Sequence, residues 1–157
     1  MKFIHCDTNE MYITLHDCKV TRAYLRDGIL GFDFEDGFWI SPDHPHSNFT
    51  QLVKTDASKV EYLLEDGDGY DVTVYVFKRN FFGKTIRTEW TVCDFVQKVN
   101  CGECEPEFLY QYIDGIARIV ECVLNFKKKP YYGECQMKIY APNVNYYWNN
   151  LCEDRTW

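Results

Sequence analysis

The sequence predicts a mainly β chain of the α+β class: a largely antiparallel curved sheet, open barrel or sandwich of about eight strands, with one helix near 92–99. Three observations carry this. Two-residue alternation of apolar and polar side chains recurs along most of the chain, and short turn signals separate the alternating runs. One segment alone shows a helical stripe. Aromatic residues make up 17%, with 12 Tyr, 11 Phe and 4 Trp, and such rings suit a pleated surface.

The elements follow in order. "CKVTRAYLRDGILGFDFEDGFWI" (18–40) reads as strands with hairpin signals at Asp27-Gly28 and Asp36-Gly37. Between them Leu30, Phe32 and Phe34 alternate with Gly31 and Asp33. Residues 41–58 hold two prolines and several turn residues, so their first half is a loop. Strands follow near 60–65 and 71–78, the second with Val72, Val74 and Val76 on one face. After the turn "NFFG", Ile86, Thr88 and Trp90 alternate with Arg87 and Glu89, a half-buried antiparallel strand.

The helix is next. Thr91 to Asp94 forms a variant capping box, and Val92, Phe95, Val96 and Val99 fall on one stripe. Asn100 and Gly102 supply the stop. Residues 103–111, 116–126 and 134–140 alternate again, with Lys127-Lys128-Lys129-Pro130 as a connection. "VNYYWN" (144–149) fits an edge strand or a last helical turn. Short connections make the sheet antiparallel. The length fits a single domain, 1–157, able to bury roughly 70% of its extended-chain surface.

Charge and cysteine usage narrow the function classes. The net charge is −7, from 17 basic and 24 acidic side chains. Such a surface disfavours direct nucleic-acid binding and anionic membranes, and favours a basic protein partner. No apolar run of signal-peptide or membrane-span length is present, so a cytoplasmic location with eight reduced cysteines is expected.

Candidate chemistry is sparse. Cys101-Gly102-Glu103-Cys104 has the spacing of a zinc or redox pair, but a structural zinc site needs a second pair and the sequence holds none. It also follows a helix C-terminus, where the dipole raises a thiol pKa. Cys104, Cys122 and Cys135 share the phase of core residues and read as small apolar side chains. His44 and His46 flank Pro45 in what reads as a surface loop. "EDGDGYD" (65–71) fails the calcium-loop pattern and reads as an acidic turn. No nucleophile elbow, phosphate-binding loop or dinucleotide fingerprint occurs, so neither catalysis nor a cofactor is expected.

Glu103, Glu105 and Glu107 form a ladder on one strand face, interrupted by Pro106, which implies an edge or a bulge. They are candidate contacts for a basic partner, together with Asp66 and Asp68. Tyr110 and Tyr112 are candidates too, although strict alternation puts them on the Cys104 side. They join the glutamates only if Pro106 marks a bulge.

With "DGFW", a helix ending in "VNCGE" and "KKPYYGECQMKIY" near its end, the chain resembles small acidic β-rich bacterial proteins. In size and charge it is similar to immunity proteins of bacterial polymorphic-toxin systems. That resemblance covers the layout of most of the chain and transfers no residue roles. It implies binding a cognate toxin, often a basic nuclease, and covering its active site. The expected function is therefore a non-catalytic, immunity-like binding module. The alternatives are a metal-binding enzyme or sensor using His44, His46, Cys101 and Cys104, and a structural component of a mobile-element assembly.

Overall fold

Alternation becomes three antiparallel sheets in the computed structural model, which describes residues 3–67 and 69–157. Sheet I runs, edge to edge, β1 (His5–Asp7), β14 (Asn143–Trp148), β8 (Ser58–Leu63), β5 (Ile29–Phe34) and β4 (Arg22–Arg26). Sheet II runs β10 (Thr85–Trp90), β9 (Val72–Arg79), β13 (Tyr132–Tyr140), β12 (Ala117–Phe126), β11 (Cys104–Asp114) and β3 (Cys18–Lys19). Sheet III is made of β15 (Leu151–Thr156), β7 (Val53–Thr55), β6 (Trp39–Ile40) and β2 (Ile13–Thr14). One α-helix, α1 (Val92–Asn100), lies against β4. The sheets do not close into a barrel, and the arrangement is that of a β-rich α+β sandwich.

The core is built by the inward phase of each strand. Leu30, Phe32 and Phe34 of β5, Val72, Val74 and Val76 of β9, and Val120, Cys122 and Leu124 of β12 are all buried in one cluster. Rings lock sheets I and II together. Phe108 of β11 meets Phe32 and Phe34 edge-to-face, with centroids 5.2 and 5.6 Å apart. Such pairs add about 0.5–1.5 kcal/mol each beyond the area they bury. Phe95 of α1 approaches Phe32 from the side at 6.5 Å.

The helix forms where its signals stand. Thr91 Oγ1 accepts the Asp94 N–H at 3.0 Å, and Val92, Phe95 and Val99 face the core. Gly102, at φ +68°, takes the left-handed position that ends it; its N–H reaches Val99 O, and Glu103 N–H reaches Lys98 O.

Several expectations change. Asp27 and Gly28 do make a hairpin, both at positive φ, between β4 and β5. Asp36-Gly37 instead carries the chain from sheet I to sheet III. A Cβ on Gly37 would lie 2.1 Å from Thr55 O, so glycine is required there for close approach as well as for its φ of +74°. β10 is exposed on both faces except at Trp90, not half-buried, because it is the outer edge of sheet II and its hairpin with β9 runs past the core. The "VNYYWN" segment is neither an edge nor a helical turn; β14 sits between β1 and β8 with Val144, Tyr146 and Trp148 buried. Among the described residues there are fifteen strands rather than about eight, in large part because five of them have only two or three residues. No helix among the described residues is long and apolar enough to cross a membrane.

Candidate partner-binding face and the network beneath it

The outer face of sheet II brings together four of the predicted contact residues. Glu105 and Glu107 point outward, while Cys104, Pro106 and Phe108 point into the core. The pairing with β12 then slips: Phe108 faces Cys122, but Tyr110 faces Glu121. Leu109 is the extra residue of this bulge. Beyond it Tyr110 and Tyr112 turn outward, 54% and 55% exposed, onto the glutamate side. The bulge therefore exists, but at Leu109 and not at Pro106. Pro106 needs none: its carbonyl accepts from Val20 N–H at 2.8 Å, so its N–H-less side faces the two-residue strand β3 rather than β12.

A ladder of rings extends the two tyrosines. Tyr112 and Tyr110 have centroids 6.4 Å apart, and Tyr110 and His16 5.3 Å. His16 stacks on Trp157 at 5.9 Å and 8°, and Trp157 touches Trp39 at 5.8 Å. Two hydrogen bonds fix the middle of the ladder. Trp39 Nε1–H donates to His16 O at 3.0 Å, and His16 Nδ1 lies 2.5 Å from Leu109 O, the carbonyl turned out by the bulge. His16, Trp39 and Trp157 were not legible as site residues, because their partners are tens of residues away in the chain.

Under this face lies a buried ion pair. Arg118, 3% exposed, places Nη2 2.5 Å from Glu10 Oε1 and Nε 3.2 Å from Glu10 Oε2. Its Nη1 donates to the carbonyls of Ile116 and Ala141. Gln111 Nε2 donates to Glu10 Oε2 at 2.9 Å, and Gln111 Oε1 accepts from Tyr62 O–H at 2.6 Å. Burial pushes the Tyr62 and Tyr146 hydroxyls well up, and the Glu10 carboxylate adds to the rise at both, so both stay protonated donors. The bulge serves this network as well. The slip that sends Tyr110 and Tyr112 out sends Gln111 in. The sequence did carry a signal: Arg118 shares the phase of Val120, Cys122 and Leu124, and a charge on a core phase calls for a buried partner.

The other candidates fall elsewhere. Glu103 is at the junction of α1 and β11, where Lys98 Nζ holds it at 2.9 Å. The hydrogen bond and charge of Lys98 keep its carboxyl below the usual range, with Lys128 and Lys78 adding to this. It thus belongs to a basic end of the sheet rather than to the acidic face. Asp66 is exposed in the turn before β9, whose shape Asp71 sets by accepting the Asp66 and Gly67 N–H groups at 2.8 and 3.1 Å. Asp68 lies outside the described residues.

The histidine and cysteine pairs do not assemble. His44 contacts β1 and β14 at one edge of sheet I, whereas Cys101 and Cys104 flank the end of α1, which packs on the opposite edge, β4. His44 is also not a surface residue; it is 2% exposed beneath Tyr12 and Trp148. Both ring nitrogens are occupied. His46 N–H donates to Nδ1 at 3.0 Å, which leaves Nε2 to donate to Asp7 at 2.8 Å. The ring of His46 stands 5.4 Å from that of His44, and His5 is 5.2 Å from His46, but among the described residues no three His, Cys, Asp or Glu side chains converge as metal ligands. Cys101 is exposed, whereas burial raises the Cys104 thiol to about 12, with Cys135 nearby adding to the rise. The raised pKa makes Cys104 a poor nucleophile at neutral pH.

Comparison with protein-family models, with curated proteins and with solved structures finds no match to this chain.

Proposed function

We propose that this protein is a non-catalytic binding module that covers a basic protein partner with the outer face of sheet II. The observation that carries the reading is the Leu109 bulge, which sets Tyr110 and Tyr112 on the same solvent face as Glu105 and Glu107. Carboxylates beside rigid rings are the composition of a protein interface: charge speeds the encounter and rings slow release. The ladder through His16 to Trp157 widens the apolar part of that face. An immunity-like role, in which the face occludes the active site of a basic nuclease toxin, is the setting that uses such a surface most directly.

The test uses the purified chain and the cationic product of a neighbouring gene, with association followed by surface plasmon resonance at several salt concentrations. Glu105→Lys with Glu107→Lys should slow association about tenfold and flatten its salt dependence. Glu103→Lys should change association less than twofold, because Lys98 already neutralises that carboxylate. Association of the double variant at the wild-type rate would remove this face from consideration.

A further inference from the structure

The basic side chains are segregated within the acidic chain. Residues 78–88 and 126–133 carry seven of them (Lys78, Arg79, Lys84, Arg87, Lys127, Lys128 and Lys129) and no aspartate or glutamate. The register brings both segments to one end of sheet II, since Arg79 pairs with Thr85 and Phe77 with Glu134. A cleft of about 460 Å³, lined by Lys78, Arg79, Tyr131, Tyr132 and Glu134 among others, opens between them.

The outermost point of this end is apolar. Phe81 and Phe82, in the turn between β9 and β10, are 97% and 82% exposed, with their rings 5.6 Å apart and edge-to-face. The turn holds them there. Asn80 Oδ1 accepts the N–H groups of Phe82 and Lys84 at 3.0 and 2.9 Å, and Gly83 N–H donates to Asn80 O at 3.0 Å. Tyr131 and Tyr132 are exposed across the cleft. Arg79 and Lys84 are exposed in or beside the same turn, and Lys127 to Lys129 are exposed in the neighbouring β12–β13 hairpin, while Lys78 lies back over Phe126 at 3.9 Å.

We propose that this end of sheet II docks onto an anionic lipid bilayer, with Phe81 and Phe82 entering the interface and the surrounding lysines facing anionic headgroups. Apolar insertion and basic attraction are each marginal alone and become effective together. Tyrosines at the same level suit the interfacial zone. A bilayer fits better than a nucleic acid. The phenyl rings crown an exposed turn instead of lining the cleft, and Asn80, the one uncharged polar side chain within the turn, is spent on its own backbone.

The net charge of −7 does not oppose this. Beyond the seven basic residues, the acidic excess is carried by the rest of the chain, and β13 alone spans about 30 Å, several Debye lengths of about 8 Å. Three carboxylates do stand at this end: Glu134 in the cleft, Glu103, held by Lys98, and Glu105, which the register sets level with Asn125 and Tyr132. The docking residues are distinct from the partner face, so either reading can fail alone.

The experiment is sedimentation with unilamellar vesicles of phosphatidylcholine and phosphatidylserine in equal parts, and of phosphatidylcholine alone. Wild-type protein is expected to sediment with the mixed vesicles, to do so less as salt rises, and to stay in solution with the neutral ones. Phe81→Ser with Phe82→Ser, and separately Lys127→Gln with Lys128→Gln and Lys129→Gln, should each lower partitioning at least about tenfold, with unchanged circular dichroism. No wild-type sedimentation, equal binding to neutral vesicles, or variants that bind like wild type would overturn the proposal. So would wild-type protein that leaves the vesicles for added oligothymidylate.

Discussion

The two ends of sheet II are both rich in exposed rings, yet they stand on different foundations. At the Tyr110–Tyr112 end the rings lie over a satisfied buried network of Glu10, Arg118, Gln111, Tyr62 and Tyr146. At the Phe81–Phe82 end the hairpin overhangs the core, and its turn is held by Asn80 alone among side chains. One surface is set by long-range packing and the other by a local turn. The first should therefore couple to global stability, and the second should not.

Arg118→Ala breaks the comparison most severely. It strands Glu10 beneath the face, so a loss of about 3–5 kcal/mol is expected in urea melts, and Glu10→Ala in that background should cost much less than it does alone. By contrast, Phe81→Ser with Phe82→Ser should shift stability by no more than about 0.5 kcal/mol. A larger shift would show that the tip is part of the core after all.

The smallest effect sharpens the boundary between the two ends. Glu103 is depressed by Lys98, so its carboxylate should stay ionised as pH falls below the ordinary glutamate value. The Lys98–Glu103 contact is then present above that value and lost only as pH drops through the lower folded one. Lys98→Met should move the Glu103 midpoint back up in a side-chain carbon NMR titration; an unmoved midpoint would detach Glu103 from the basic end.

What was legible in the sequence was whatever repeats within a few residues. The β5 phase of Leu30, Phe32 and Phe34 and the α1 stripe of Val92, Phe95 and Val99 are local patterns, and both are where they were expected. Two-residue strands such as β2, β3 and β6 are too short to display a period. Leu109 carries no local mark of a bulge, since it is neither Gly nor Pro. The contact of its carbonyl with His16 comes from 93 residues away. Glutamates 103, 105 and 107 look equivalent in the sequence, and only the fold puts a lysine on the first of them.

Asn100 was expected only to stop the helix, but its side chain reaches further. Its Nδ2 donates to Ala23 O at 2.8 Å, and its Oδ1 accepts Ala23 N–H at 3.1 Å. Ala23 sits on β4, the outer strand of sheet I. A single amide thus imitates a neighbouring strand at the place where a real one from another molecule could add. The same residue that ends the helix also closes a template for polymerisation, so colloidal stability at high concentration is written into a helix terminus.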